Sequence, residues 1–128
     1  MKVAIVLSLM FLLTNMHTPG QGEQKPLPCP NAQSQAEMTI CWGKEYKAAD
    51  ATLNQVYRQL VTMLDEEQKA QLKLAQTAWL KYRDSNCKFV ADQYKGGSMR
   101  PMVAAICLTD MTINRSTELK TQIKDRDR

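Results

Sequence analysis

The chain has 128 residues, 44% of them hydrophobic and 23% charged, with a formal net charge of +4. That length supports one domain around one core, and the composition excludes a disordered or fibrous chain. Basic residues are interleaved with acids along the sequence, without a concentrated patch or a reading helix, which argues against a nucleic-acid surface.

Met1 and Lys2 precede an apolar run from Val3 to Leu13 and then a polar segment of small residues, T-N-M-H-T-P-G-Q-G. Eleven residues are too few to cross a bilayer as a helix, which takes about 20, so residues 1–22 read as a secretory signal cleaved near Gly20 or Gly22. No cysteine follows the run directly; the first is Cys29, behind Leu27 and Pro28. Lipid attachment is therefore not expected, and no membrane anchor remains after cleavage. The exported domain, residues 23–128, keeps 16 basic and 13 acidic residues, a mild +3.

Export changes the meaning of the cysteines. Four of them in a small domain in an oxidising compartment imply two disulfides, not a metal site. The single histidine, His17, lies in the segment to be removed. Without imidazole or a free thiol, histidine-based triads and the common zinc sites are ruled out. No catalytic constellation, metal set or cofactor motif is present, and the chain reads as non-enzymatic.

Glu23 to Pro30 carries prolines at 26, 28 and 30 and is expected to run extended. A first helix starts at Ser34, whose S-Q-A-E pattern places Glu37 for a reciprocal cap. Its apolar stripe runs through Met38, Cys41 or Trp42, Tyr46, Ala49, Leu53, Val56 or Tyr57, Leu60 and Leu64. Cys29 meets Cys41 if the arm folds back along the first turns. A break at Leu64-Asp65 and a second capping pattern, Asp65 with Gln68, open a second helix with the stripe Leu72, Ala75, Trp79, Tyr82, Cys87, Val90 and Tyr94. Gly96-Gly97 ends it. Ser98 is expected to cap a third helix with Pro101 in its first turn. Met102, Val103, Ile106, Cys107, Met111 and Ile113 supply its apolar surface, and the tail after Leu119 is expected to fray.

No strand pattern competes, and the fold class is all-α: a small antiparallel three-helix bundle, or a long helical hairpin with a third partner and a disulfide-stapled turn. Four cysteines allow three pairings. Cys87 and Cys107 lie almost symmetrically about Gly96-Gly97, which favours Cys87 with Cys107 and leaves Cys29 with Cys41. The same symmetry sets Arg83 opposite Asp110 and predicts an ion pair between them.

Asp50 and Asn54 fall on or beside the inward stripe of the first helix, next to Tyr57, and buried polar groups need partners. Arg83 and Arg115 are the candidates, giving an internal polar network of Asp50, Asn54, Tyr57, Arg83, Asp110 and Arg115. Asp50 with Asp84 or Asp110 could form a glycosidase-like carboxylate pair, but a slender bundle supplies no cleft for a sugar chain. Trp42 and Trp79 read as core. The turn Tyr94 to Arg100 is the best contact surface: short, glycine-rich and backed by a disulfide, it lowers the entropy lost on binding.

The succession A-E-M-T-I-C-W (Ala36 to Trp42), A-D-A-T-L-N-Q-V-Y (Ala49 to Tyr57), A-Q-T-A-W-L-K-Y-R-D-S-N-C (Ala75 to Cys87), G-G-S (Gly96 to Ser98) and C-L-T-D-M-T-I-N-R-S-T-E-L (Cys107 to Leu119) resembles the LprI-like lysozyme inhibitor family of small exported bacterial proteins. The resemblance spans nearly all of the exported domain. It implies a periplasmic or secreted helical domain with paired cysteines, some of whose relatives inhibit lysozyme. The family's pattern falls on Cys41, Asp50, Leu53, Asn54, Tyr57, Trp79, Arg83, Cys87, Gly97, Ser98, Cys107 and Arg115. One reading is an inhibitor that occludes the cleft of lysozyme or another peptidoglycan hydrolase, presenting Tyr94, Lys95, Ser98 and Arg100 to its carboxylates. A charge of +3 gives such a protein no long-range attraction to a basic lysozyme. The other reading is a structural or interaction module of the bacterial envelope without an enzyme target.

Overall fold

The computed structural model describes residues 28–128; the proposed leader and the start of the proline arm lie outside the described residues. Three helices follow in order: α1 (Gln35–Val61), α2 (Glu66–Ala91) and α3 (Arg100–Arg126). A single 3₁₀ turn, Asp92–Tyr94, extends α2 into the connection to α3. Among the described residues no strand forms, and no helix is long and apolar enough to cross a membrane.

Local chemistry sets the helix starts. Ser34 Oγ accepts the amide of Glu37 at 3.2 Å, whereas the Glu37 carboxylate reaches one residue further back than expected, to the Gln33 amide at 2.7 Å. At Asp65 the reciprocal cap is complete: the Gln68 amide donates to Asp65 at 2.8 Å, and the Asp65 amide to Gln68 at 3.2 Å. Ser98 does not cap α3. The N-cap position is Met99, in helical geometry with no side-chain bond, and Pro101 sits in the first turn, where no amide hydrogen is needed.

The helices run up, down, up. α2 and α3 form an antiparallel hairpin, and α3 then lies closely along α1 in parallel. Gln35 of α1 donates to the Met102 sulfur near the start of α3. At the opposite end Leu53, Val56 and Leu60 of α1 share a buried cluster with Leu119 and Ile123 of α3, closed by Leu64 and Leu72. Ile123 shows why the tail does not fray: its side chain is 7% exposed, so the last turns of α3 are held by the core and continue to Arg126.

The close α1–α3 approach rests on small residues. α3 turns Thr109, Thr112 and Ser116 inward, all buried, with Ala49 on α1. Thr109 and Ser116 satisfy their hydroxyls by donating to the carbonyls four residues back, at 2.7 and 3.1 Å. Ile113, expected on the inner face, is 43% exposed instead. On α2 the buried positions are Leu72, Arg83, Cys87 and Ala91; Ala75, Tyr82 and Tyr94 are exposed. On α1 the expected stripe holds, with Ala49, Leu53, Val56, Leu60 and Leu64 buried; on α2 Arg83 is buried in place of Tyr82, and on α3 Thr112 in place of Ile113.

The apolar cluster fills only the end near the α1–α2 turn. The other end is held covalently, by Cys29 bonded to Cys41 and Cys87 bonded to Cys107. No free cysteine remains. A domain this small buries little apolar surface for its length, and cross-links compensate where the core thins.

Candidate functional site

Midway between the apolar cluster and the disulfides, Arg83 projects from α2 into the space between the helices, its side chain 7% exposed. Nη1 donates to Thr112 Oγ1 of α3 at 3.3 Å and to Asp50 Oδ1 of α1 at 3.5 Å, and Nε donates to Asp84 at 2.9 Å. Its guanidinium carbon stands 5.4 Å from the centre of the Tyr46 ring and 5.3 Å from that of Trp79. One planar cation thus touches all three helices. Its fork geometry and weak hydration make arginine the residue suited to this place. Burial pushes the Tyr46 phenol above its ordinary pKa, and the Arg83 charge partly offsets this.

The network differs from the expected one. Asp50 joins Arg83, but Asn54 is exposed and reaches it only indirectly, donating to Asp50 Oδ2 at 3.3 Å. Tyr57 packs its ring against the apolar cluster. Asp110 is exposed and does not pair with Arg83; Thr112 takes that place. Symmetry about the turn fixes height along the hairpin but not the face of the helix, and at about 100° per residue Thr112 is the residue that turns inward. Arg115 forms a separate cluster: it donates to Gln76 at 3.0 Å and Glu118 at 2.8 Å, and lies 5.9 Å from the Trp79 ring centre. Trp79 is therefore flanked by two guanidinium groups.

Every buried side-chain nitrogen and oxygen among the described residues has a partner. A buried polar layer satisfied in this way fixes the register of the helices.

The second candidate is the hairpin tip. The Cys87–Cys107 bond sits below it, with Cys87 1% exposed. Gly96 takes φ +83°, the left-handed conformation that reverses the chain and that side chains resist. A residue missed by the sequence reading, Asp92, locks the turn. One of its oxygens accepts Arg100 Nε at 3.1 Å and Nη2 at 2.7 Å, and the other accepts Lys88 at 2.9 Å. The two cations hold the Asp92 carboxyl down at about 2. Its spacing four residues after Lys88 was the available signal.

The tip residues consequently have unequal roles. Arg100 is committed to Asp92 and closes the turn. Tyr94, 40% exposed, Lys95 and Ser98 face solvent, joined by Met99 at 39%. Among the described residues Lys95 enters no ion pair. Beside the tip a hollow of about 600 Å³ opens between α2 and α3, with Ala91, Ala104, Pro101 and Leu108 on its walls and Asp84, Lys88 and Arg100 among its polar lining. Each of those three charges already has an intramolecular partner.

The family model described as "Lysozyme inhibitor LprI" matches residues 29–119, from the first cysteine to the last buried leucine. An uncharacterized protein of Rhizobium meliloti (strain 1021) is 36% identical over 130 residues, covering 91% of each chain. No solved structure matches the chain significantly. The match takes in both cysteine pairs, the arginine network and the tip, and the chain belongs to the LprI lysozyme inhibitor family.

Proposed function

We propose that the protein is exported with residues 1–22 removed and acts, without catalysis, as an inhibitor of lysozyme or a related peptidoglycan hydrolase. The observation that carries this reading is a rigid, solvent-facing hairpin tip on a member of an inhibitor family. A disulfide and the Asp92 clamp fix its backbone in advance, so little conformational entropy is lost on entering a cleft. Tyr94 and Met99 supply apolar contact, and Lys95 and Ser98 supply a cation and a hydroxyl for the carboxylates that line such clefts. Arg100 serves by holding the loop, with its own charge matched by Asp92.

The test is inhibition of several lysozyme classes by the exported chain and by Tyr94→Ala and Lys95→Glu. Either exposed substitution should weaken inhibition about tenfold or more, as at an interface anchor, without moving the unfolding midpoint. No inhibition at micromolar excess, together with no complex on size exclusion, overturns the proposal and leaves an envelope module with no enzyme target.

A further inference from the structure

The outward face of α2 carries a pattern that neither the bundle nor the tip uses. Leu74, Tyr82 and Phe89 are 74%, 61% and 74% exposed. They recur at steps of eight and seven residues, and a lysine immediately precedes each one: Lys73, Lys81 and Lys88. At about 100° per residue the three apolar side chains fall within an arc of about 80°, with the lysines in a parallel row beside them. The double row is about 22 Å long at 1.5 Å per residue. From Lys73 to Phe89 the only acid on α2 is Asp84, and it is bonded to Arg83. Lys88 shares the single carboxylate of Asp92 with Arg100, so positive charge remains there too.

We propose that this face docks on an anionic bilayer surface. An exposed row of leucine and aromatic side chains beside a row of lysines is the chemistry of an interfacial helix. The rings and the leucine enter the boundary between headgroups and acyl chains. The lysine stems lie along the same surface and carry their ammonium groups up to the phosphates. A second copy of the chain is a poor occupant, since two such faces brought together would oppose six lysines with no unpaired acid between them. The arrangement leaves the tip free at the end of the hairpin, so surface docking and hydrolase binding use different residues.

The experiment is co-sedimentation with vesicles of phosphatidylcholine alone or mixed with phosphatidylglycerol. It uses the chain from Glu23, which contains every described cap, core residue and disulfide and lacks the apolar leader. The expected result is partition onto the anionic vesicles only, reversed by salt. Lys73→Gln with Lys81→Gln should weaken it about 25-fold, at about fivefold per lysine near such a surface. Leu74→Ser with Phe89→Ser should abolish it. All four positions point to solvent, so helicity and unfolding midpoint should stay at wild-type values. Absence of partition, or equal partition by the variants, overturns the proposal. A concentration-dependent dimer lost in Leu74→Ser with Phe89→Ser also overturns it, assigning the face to self-association. Hydrolase inhibition measured on the same variants reports separately on the tip, so the two proposals fail independently.

Discussion

Arg83→Ala should destabilise the fold by about 3 kcal/mol, and the structure indicates where that loss comes from. The charge-assisted bond to Thr112, whose side chain is fully buried, contributes about 1.5–3 kcal/mol. Two aromatic rings within 6 Å of the guanidinium add about 0.5–1 kcal/mol each. The ion pairs add less than their number suggests. Asp50 and Asp84 are 41% and 63% exposed, so water screens both, and each pair is worth about 0–1 kcal/mol. Relief from desolvating the guanidinium offsets part of the total. Urea denaturation of the oxidised protein, followed by helical circular dichroism, measures the loss. At about 4–8 °C per kcal/mol for a domain of this size, the thermal midpoint should fall by about 12–24 °C. Arg83→Met keeps the packed stem and should cost about half as much. This role for Arg83 fails if Arg83→Ala costs less than about 1 kcal/mol. It fails equally if Asp50→Asn costs as much as Arg83→Ala, because the exposed ion pair would then carry the effect.

Replacing Cys87 and Cys107 together by alanine should cost about 3 kcal/mol from the 20-residue loop they close, read from denaturant midpoints under non-reducing conditions. Asp92 has a lowered pKa, so its bonds to Lys88 and Arg100 are complete above its ordinary value of 3.8 and are lost as the pH falls through about 2. A carboxyl NMR titration should therefore place its midpoint near 2, and a midpoint near 3.8 would show that the clamp does not form. Ser116→Leu, which forces a large side chain between α1 and α3, should cost about 1–3 kcal/mol by thermal denaturation, whereas the same change at neighbouring exposed Thr117 should stay within about 0.5 kcal/mol.

The helices were legible because capping chemistry and glycine placement act locally: Ser34, Asp65 and Gly96 stand where their backbone geometry requires them. The disulfides were legible because a hairpin turn fixes which heights face each other. The inner face of α3 was harder to read. Its inward row, Thr109, Thr112, Ser116, Leu119 and Ile123, has regular helical spacing, but a search for apolar residues sees only the last two. Helix rotation decides which member of a layer points inward, and that choice depends on the α1–α3 contact, which is invisible in the spacing of either helix alone. Asp110 and Thr112 differ in this respect, as do Tyr82 and Arg83. Asp92 was overlooked for another reason: its spacing from Lys88 marks only a surface pair, and the clamp appears once the turn brings Arg100 onto the same carboxylate.

The distribution of stabilising interactions bears on function. The buried leucines and isoleucine cluster at the α1–α2 turn, the arginine layer occupies the middle, and the proposed binding tip stands at the end where apolar burial is sparse. A tip built over a large core would need bulky side chains between α2 and α3 and would splay the hairpin; Ala91, Ala104 and a disulfide keep it narrow instead. The consequence is that the tip's order depends on oxidation more than the fold's does. Reduction removes the cross-link directly beneath Tyr94 to Arg100 while leaving the leucine cluster intact, so an oxidising compartment is a condition for a preorganised tip as well as for stability. Arg100 supports the same division: had it been free to meet a partner's carboxylate, the turn would have lost the bond that closes it, and among the described residues Lys95 is the tip cation outside any ion pair, because Asp92 binds both Lys88 and Arg100.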